Sequence, residues 1–268
     1  SGPIVNGQAL PFVRYGVYPN PNITWEKQDN TNIGLDALFF DSKFGLEFDY
    51  FFRTTRDILW SRIRSVPGTF GRTLPNENYA EVKSQGLELM LSYQDRIQGL
   101  GYNFRLIGSY AQNKVTKIDD PGNALDFQKQ VGRPIGFRSG YEALGLFRSQ
   151  EEADSWAGGY QFGQKSVAGD IKYADLDGDG SISIPDQKIL SKYGNTPRIM
   201  YGFTAGFNWN NFDLNFLFQG AAQRNLILSG SGRVMYRNGG SNNNFEYLKD
   251  SWSPENPDGK YPIAWVDA

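Results

Sequence analysis

The segment from Tyr201 to Gln219 constrains the fold most, because large apolar side chains occupy nearly every second position on both sides of a central Asn210-Asn211 pair. Successive side chains of a β-strand point to opposite faces, so this alternation predicts two strands joined by a tight turn. One face of the hairpin would be apolar and the other polar. The predicted apolar face carries Tyr201, Phe203, Ala205, Phe207, Trp209, Phe212, Leu214, Phe216 and Phe218.

The same alternation recurs along the chain, and the lengths of the runs are informative. A tilted strand needs about 9–11 residues to cross a bilayer, whereas strands of soluble sheets average about 5–6 residues. The long runs therefore predict an all-β fold, a transmembrane antiparallel β-barrel with a polar lumen. The predicted strands are Asn32–Phe40, Phe44–Arg53, Ser84–Gln94 and Tyr102–Lys114, with weaker ones near Tyr141–Phe147 and Leu226–Tyr236.

Composition excludes several classes of function. The formal net charge of −2 offers no basic excess for a nucleic acid. The chain has no cysteine and no histidine, which removes disulfides, the usual zinc ligands and the commonest general base, and we therefore expect no enzyme. No apolar run reaches the roughly 20 residues of a membrane-spanning helix. The aromatic content of 15% is typical of barrels with aromatic residues at both membrane interfaces.

Two short helices are predicted in the connections between strands. Ser149–Ala157 begins with a residue that caps helices well and continues with two glutamates, which favour the positive end of a helix dipole. Asn244–Trp252 is the second, and Ser253-Pro254 ends it. Several connections are tight while others are long. Outer-membrane barrels show this asymmetry, with short periplasmic turns and long extracellular loops.

One segment carries the residues of a metal site. Asp175, Asp177 and Asp179 occupy positions 1, 3 and 5 of an EF-hand-type loop, and Gly180 takes position 6, where the chain turns sharply. Asp186 stands at position 12. Carboxylates this close repel one another unless a cation neutralises them, and Ca²⁺ suits a set of oxygen donors. The predicted ligands are Asp175, Asp177, Asp179, Ser181 through its backbone carbonyl, and Asp186, holding a structural Ca²⁺.

A metal-free interpretation of the same segment remains open. Aspartates in Gly-rich turns accept hydrogen bonds from their own backbone, which satisfies them without a cation. Ser183 and Asp186 have the spacing of a capping box for a helix over Ile184–Leu190, with Pro185 in its first turn. Capping and metal binding would compete for the Asp186 carboxylate.

Four motifs, in this order, resemble segments of the SusC/RagA-like TonB-linked (TonB-dependent) outer-membrane transporters. The acidic loop followed by the hairpin is the most specific of them, and together the motifs cover nearly the whole chain. They are Pro21–Asp36, Gly140–Ala157, Gly169–Leu190 with Gly194–Ala221, and Asp250–Pro262.

The resemblance implies a fold and a function. Members form barrels of about 22 strands around an N-terminal plug, pair with a SusD-like surface lipoprotein that acts as a lid, and import glycans or peptides with energy delivered through TonB. We therefore expect residues 1–268 to be part of one such barrel domain in the outer membrane of a Gram-negative bacterium, surrounded by lipid. Plug and final strands would be absent, and residues 169–190 would form an EF-hand-like acidic loop within an extracellular loop.

Two other functions fit parts of the sequence. A soluble, calcium-stabilised all-β module that binds carbohydrate is the main alternative, since exposed tryptophans and tyrosines can stack on sugar rings. A surface-anchored enzyme fragment is the third, and the missing histidine and cysteine disfavour it. The apolar strand faces distinguish the first two hypotheses, because a barrel wall leaves them uncovered and a soluble module buries them.

Overall fold

The computed structural model describes residues 19–61, 74–228 and 245–264, together with the backbone of two short paired strands, β1 (Ile4–Val5) and β2 (Gln8–Ala9). The chain divides into two compact units. The sheet unit comprises residues 1–124, 129–135 and 198–222, and the loop unit comprises residues 125–128, 136–197 and 223–268.

A six-stranded antiparallel sheet forms most of the sheet unit. Its strands are β3 (Lys27–Phe39), β4 (Phe44–Ser61), β5 (Asn76–Ile97), β6 (Leu100–Lys117), β13 (Ile199–Trp209) and β14 (Phe212–Ala222). Its spatial order is β14-β13-β6-β5-β4-β3, so β13 pairs with β6 although the long loop unit separates them in sequence. Among the described residues β3 and β14 each have one strand neighbour, so the sheet is open at both edges.

All the strongly predicted strands of this sheet are confirmed, and most are longer than predicted. β5, for example, runs for 22 residues from Asn76 to Ile97, whereas the predicted strand spans only Ser84–Gln94. The alternation weakens at its start, but pairing with β4 and β6 satisfies the backbone there and extends the strand. A small core lies at this end of the sheet, formed by Ala80, Val115 and Ile118 with partly buried Ile58, Trp60 and Val82.

Tight turns join the strands at the opposite end. Asn210 adopts a φ of 51° in the predicted Asn210-Asn211 turn, and Gln98 and Gly99 have φ values of 48° and 89° in the turn between β5 and β6. Asparagine and glycine tolerate this left-handed region well, which favours two-residue hairpin connections. Tight turns at one end and long connections at the other match the expected asymmetry.

The loop unit is built from short elements. β7 (Arg138–Tyr141) pairs with β12 (Gln187–Ser191), β8 (Ala143–Leu146) with β11 (Ile171–Tyr173), and β9 (Tyr160–Gln161) with β10 (Gln164–Lys165). Its helix α1 spans Gln150–Ser155. Phe147 and Ile182 are among its fully buried side chains. Short 3₁₀ segments lie at Asp126–Gln128, Trp156–Gly159, Ile184–Asp186 and Glu246–Asp250.

Two predictions in the loop unit differ from the structure in their extent. The strand predicted near Tyr141–Phe147 is present as β8, but Tyr141 belongs to β7, because the chain changes partner at Glu142 from β12 to β11. The helix predicted over Ile184–Leu190 ends after one 3₁₀ turn, and residues from Gln187 onward pair with β7 instead. Alternation and capping are local signals, whereas the partner that completes the backbone hydrogen bonds is distant in sequence.

The helix predictions are otherwise confirmed in shorter form. Ser149 caps α1, and its Oγ accepts a hydrogen bond from the Glu152 N–H at 3.2 Å. The second predicted helix, Asn244–Trp252, is a 3₁₀ segment over Glu246–Asp250. The weak strand near Leu226–Tyr236 lies mostly outside the described residues, and residues 226–228 are not in a strand. In the described ranges, every helix is too short or too polar to cross a bilayer.

Candidate functional site: a two-faced sheet and an acidic loop

The register of the six-stranded sheet places most of the large apolar side chains on one face. Leu91 of β5 pairs with Leu46 of β4 and Leu106 of β6, and the same row continues through Phe203 to Phe218. Paired residues of antiparallel strands share a face, so each row is continuous across the sheet. We call this side the apolar face. A neighbouring row on it is formed by Phe39, Phe44, Tyr93, Phe104, Ala205 and Phe216.

The apolar face is uncovered among the described residues. Phe212 is 74% exposed, Ile33 65% and Phe218 61%, although such side chains are usually buried in a soluble domain. Single exposed apolar residues are common, but a continuous apolar face marks a surface that meets a partner or a membrane. This exposure is the outcome that the barrel hypothesis predicts and that a soluble module would avoid.

The height of the apolar face fits a bilayer. The 11 residues of β13 cover roughly 33 Å along the strand. A typical tilt of about 40° reduces this to roughly 25 Å along the membrane normal, which is the usual height of the outer apolar band of an outer-membrane barrel.

The opposite side of the sheet, which we call the polar face, carries charged and amide side chains. Glu47 and Asp49 of β4 lie there beside Glu88 of β5. Glu47 and Asp49 therefore lie on the side of β4 that the alternation along Phe44–Arg53 predicts to be polar. A concave region of about 700 Å³ opens on this face, and these three carboxylates line one side of it.

Apolar residues line the other side of the same concavity, which the sequence analysis missed. Met90, Ile107, Met200 and Leu217 alternate along their strands with residues of the apolar face, and the register brings them together. Each is isolated in its own strand, so only the pairing of four strands shows that they form one patch. The concavity therefore presents both carboxylates and an apolar surface.

In the acidic loop, the carboxylate of Asp186 is the structural centre. Asp186 is fully buried, with 0% of its surface exposed. Oδ1 accepts the Leu176 N–H at 2.7 Å and Oδ2 accepts the Ser183 N–H at 2.7 Å. The second bond is the carboxylate half of the predicted capping box. Asp186 thus ties the two ends of the loop together.

These hydrogen bonds also determine the charge of Asp186. Burial raises the pKa of the Asp186 carboxyl, but the N–H groups of Ser183, Leu176 and Asp177 that face it outweigh burial, and the pKa lies below its ordinary value. The group is therefore ionised at neutral pH while almost entirely removed from water.

The remaining predicted ligands lie on the turn that precedes Asp186. Asp175 accepts N–H bonds from Gly178 at 2.8 Å and Gly180 at 2.9 Å. Gly180 has a φ of 78°, as a sharp turn at position 6 requires. Asp177 accepts the Asp179 N–H at 3.2 Å. The backbone-to-aspartate hydrogen bonds that the metal-free interpretation predicts for this turn are therefore present.

Three of the carboxylates nevertheless converge. One oxygen from each of Asp175, Asp177 and Asp186 lies within 4.8 Å of the others, whereas Asp179 falls outside this group. Asp179 accepts the Ser181 N–H at 2.8 Å. Each carboxylate oxygen can accept more than one bond, so the three retain lone pairs for a hard cation such as Ca²⁺. The donor set fits the metal in its chemistry.

A family model described as TonB dependent receptor-like, beta-barrel matches residues 5–194. TonB-dependent receptor P26 of Formosa agariphila is 29% identical over 275 residues, covering 98% of this chain and 27% of the relative. TonB-dependent receptor SusC of Bacteroides thetaiotaomicron is 24% identical, covering 74% of this chain and 19% of the relative. The chain thus spans about a quarter of the length of these curated relatives.

Solved structures share the fold. The RagAB peptide importer in its open-open state superposes with a TM-score of 0.67 at 20% sequence identity, over 94% of this chain and 27% of that one. In the closed-closed state the TM-score is 0.63 at 22% identity. At this identity the similarity concerns the fold.

Proposed function

The chain belongs to the TonB-dependent receptor-like β-barrel family, and from this premise we propose that it forms part of the wall of an outer-membrane barrel that imports a nutrient. The uncovered apolar face is the observation that carries the proposal. In this arrangement the apolar face contacts lipid, and the polar face with its concavity borders the lumen. Residues 1–268 contribute to one barrel domain of a Gram-negative outer membrane, with the loop unit on the extracellular side.

A soluble carbohydrate-binding module is less consistent with the sheet. Such a module would have to leave aromatic rows, including Phe203 and Phe218, in contact with water across several strands. Burial of apolar surface is the main favourable term in folding, at roughly 25 cal/mol per Å², and lipid provides it here. The matched relatives are named as receptors, which supports transport and not catalysis.

The energy source and the partners of the receptor are part of the proposal. We propose that the complete receptor takes energy from TonB and works with a SusD-like surface lipoprotein that closes over the barrel. Similarity to SusC and to the RagAB importer supports both points. The substrate is a glycan or an oligopeptide.

Deletion of the receptor gene tests this function. Growth on one glycan or peptide should be lost, should return on complementation, and should be lost again when TonB is removed. Affinity purification of the complemented receptor in detergent should retain a surface lipoprotein. Unchanged growth on every glycan and peptide tried would overturn the importer assignment, and the substrate that fails identifies the nutrient class.

We further propose that Asp175, Asp177 and Asp186 hold a structural Ca²⁺, with Asp179 and the Ser181 carbonyl completing the set as the loop closes. The convergence of the three carboxylates supports the proposal. A cation would relieve their mutual repulsion and hold residues 169–190 together.

Limited proteolysis measures the effect of the metal. A chelator should increase cleavage within residues 169–190, and added Ca²⁺ should restore protection. Asp177→Asn should raise cleavage and abolish the response to the chelator. Asp154→Asn, which removes an acid outside the loop that pairs with Lys165 at 3.5 Å, serves as the control. Equal cleavage with and without chelator in the unmodified receptor would refute the site.

A further inference from the structure

A basic pocket of about 430 Å³ lies on the sheet unit, near the end where the long connections leave the strands. Two lysines from adjacent strands and an arginine line it, together with two glutamines and a glycine. Among the described residues, its lining contains no carboxylate. The residues that define the basic pocket are Lys83, Gln85, Gln112, Lys114, Gly132 and Arg198.

The register places the lysines of this pocket on the apolar face. Leu87 pairs with Tyr110 on that face, Gln85 pairs with Gln112 two positions further along, and Lys83 pairs with Lys114 two positions beyond. Side chains two positions apart share a face. The apolar face therefore changes from apolar to amide to cationic, over roughly 13 Å of strand between Leu87 and Lys83.

Lys83 and Lys114 form an unfavourable pair as they stand. They are direct cross-strand partners and are exposed. Like charges directly opposite each other on a sheet destabilise it. No carboxylate of the described residues forms a salt bridge with either lysine. An anion between the two ammonium groups would remove the repulsion.

We propose that the basic pocket binds a phosphate group of a lipid headgroup in the outer leaflet. This inference rests on the proposed membrane position of the sheet. The pocket lies directly beyond the side chains that would contact acyl chains, so a lipid whose chains lie along Leu87 and Leu89 presents its headgroup to Lys83 and Lys114. Attachment to the membrane gives this phosphate an advantage over free phosphate, which has no such contact with the apolar face.

Two supporting features concern the shape of the pocket. Gly132 has a φ of 87° and faces Lys114, whose Cε would lie 3.9 Å from a Cβ at that position. The Gly132 N–H donates to the Val115 carbonyl at 2.8 Å, which holds the wall of the pocket against β6. Gln85 and Gln112 add amide donors between the lysines and the apolar residues.

Native mass spectrometry of the purified whole receptor in detergent tests the proposal. The probes are a diphosphorylated glycolipid, phosphatidylethanolamine and inorganic phosphate. The variant Lys83→Gln/Lys114→Gln should bind the diphosphorylated lipid roughly 30-fold more weakly, since each lysine near an anionic membrane surface contributes roughly fivefold to the affinity. Lys249→Gln/Lys260→Gln, which removes two highly exposed lysines of the loop unit, is the matched control and should bind normally.

The outcomes separate this inference from the function on which it rests. Equal binding of the diphosphorylated lipid by the Lys83/Lys114 variant and the control would overturn the pocket, as would occupancy by inorganic phosphate without lipid. Either result leaves nutrient uptake intact. If the unmodified receptor binds no lipid and stays in solution without detergent, the membrane position itself is wrong.

Discussion

The substitution Leu106→Arg tests most directly which face of the sheet meets lipid. Leu106 lies in the row between Leu91 and Phe203 on the apolar face and is 43% exposed. It is midway between Tyr102 and Tyr110, roughly 13 Å along the strand from each. With a tilt of about 40°, this corresponds to about 10 Å of depth from either aromatic residue. In the proposed membrane position, the side chain is therefore near the bilayer midplane.

The expected cost follows from this depth. Arginine on the lipid face of an outer-membrane barrel destabilises it by about 2–4 kcal/mol at the midplane. That range corresponds to a shift of roughly 30-fold to 1000-fold in the folding equilibrium. If the same face were exposed to water, a surface substitution would usually change stability by less than about 0.5 kcal/mol.

Ser109→Arg is the matched control. Ser109 lies on the same strand, three positions away, but its side chain belongs to the polar face, where it pairs with Glu88 and lines the concavity near Asp49. The new guanidinium would meet carboxylates and water. Its effect on the free energy of unfolding should therefore be small.

Denaturant titration of the whole receptor refolded into phospholipid vesicles gives both free energies. The difference between Leu106→Arg and Ser109→Arg should be at least about 2 kcal/mol, with the leucine variant less stable. Equal stability of the two, or a greater loss for Ser109→Arg, would refute the assignment of the apolar face to lipid.

Two further predictions concern the loop unit. The pKa of Asp186 is lower in the folded state than in the unfolded state, so its contribution to stability is present above the unfolded pKa of about 4 and is lost as the pH falls through the folded pKa. Protease protection of the acidic loop should therefore decrease only in strongly acidic buffer. A decrease centred near neutral pH would contradict the direction of this pKa shift. Gly169→Ala should destabilise the loop unit by more than about 1 kcal/mol, because Gly169 has a φ of 88° and a Cβ there would lie 2.5 Å from Trp252 Cε3. Hydrogen exchange measures this loss of stability. Gly163→Ala is the control, because Gly163 has a φ of 75° but open space around it, so that substitution adds backbone strain without a clash. Equal effects of the two substitutions would refute the clash.

The strongly alternating strands were predictable because their signal is local. Each of the runs at Phe44–Arg53 and Tyr102–Lys114 specifies its own two faces, and the central partners in the register, such as Leu46 with Leu91 and Leu106 with Phe203, agree with them. Their ends were not predictable, since pairing extended the strands into segments with weak alternation. The switch of partner at Glu142 was invisible for the same reason, because alternation contains no information about which strand lies alongside.

The acidic loop was predictable in part. The spacing of Asp175, Asp177 and Gly180 indicated the turn, and the turn is present. The structural role of buried Asp186 was not predictable in full, because it depends on three backbone N–H groups that donate to its carboxylate only in the folded loop. Occupancy by Ca²⁺ stays a prediction.

The amino-acid sequence by itself determined that the strands have an apolar and a polar side, because side-chain direction along a strand has a period of two residues. Only the tertiary structure decided what those sides form together. Backbone hydrogen bonds between distant segments aligned β6 with β13, made one apolar surface from separate strands, and brought Lys83 opposite Lys114. Such alignments depend on which donors and acceptors pair across the whole chain, and a local pattern does not specify them.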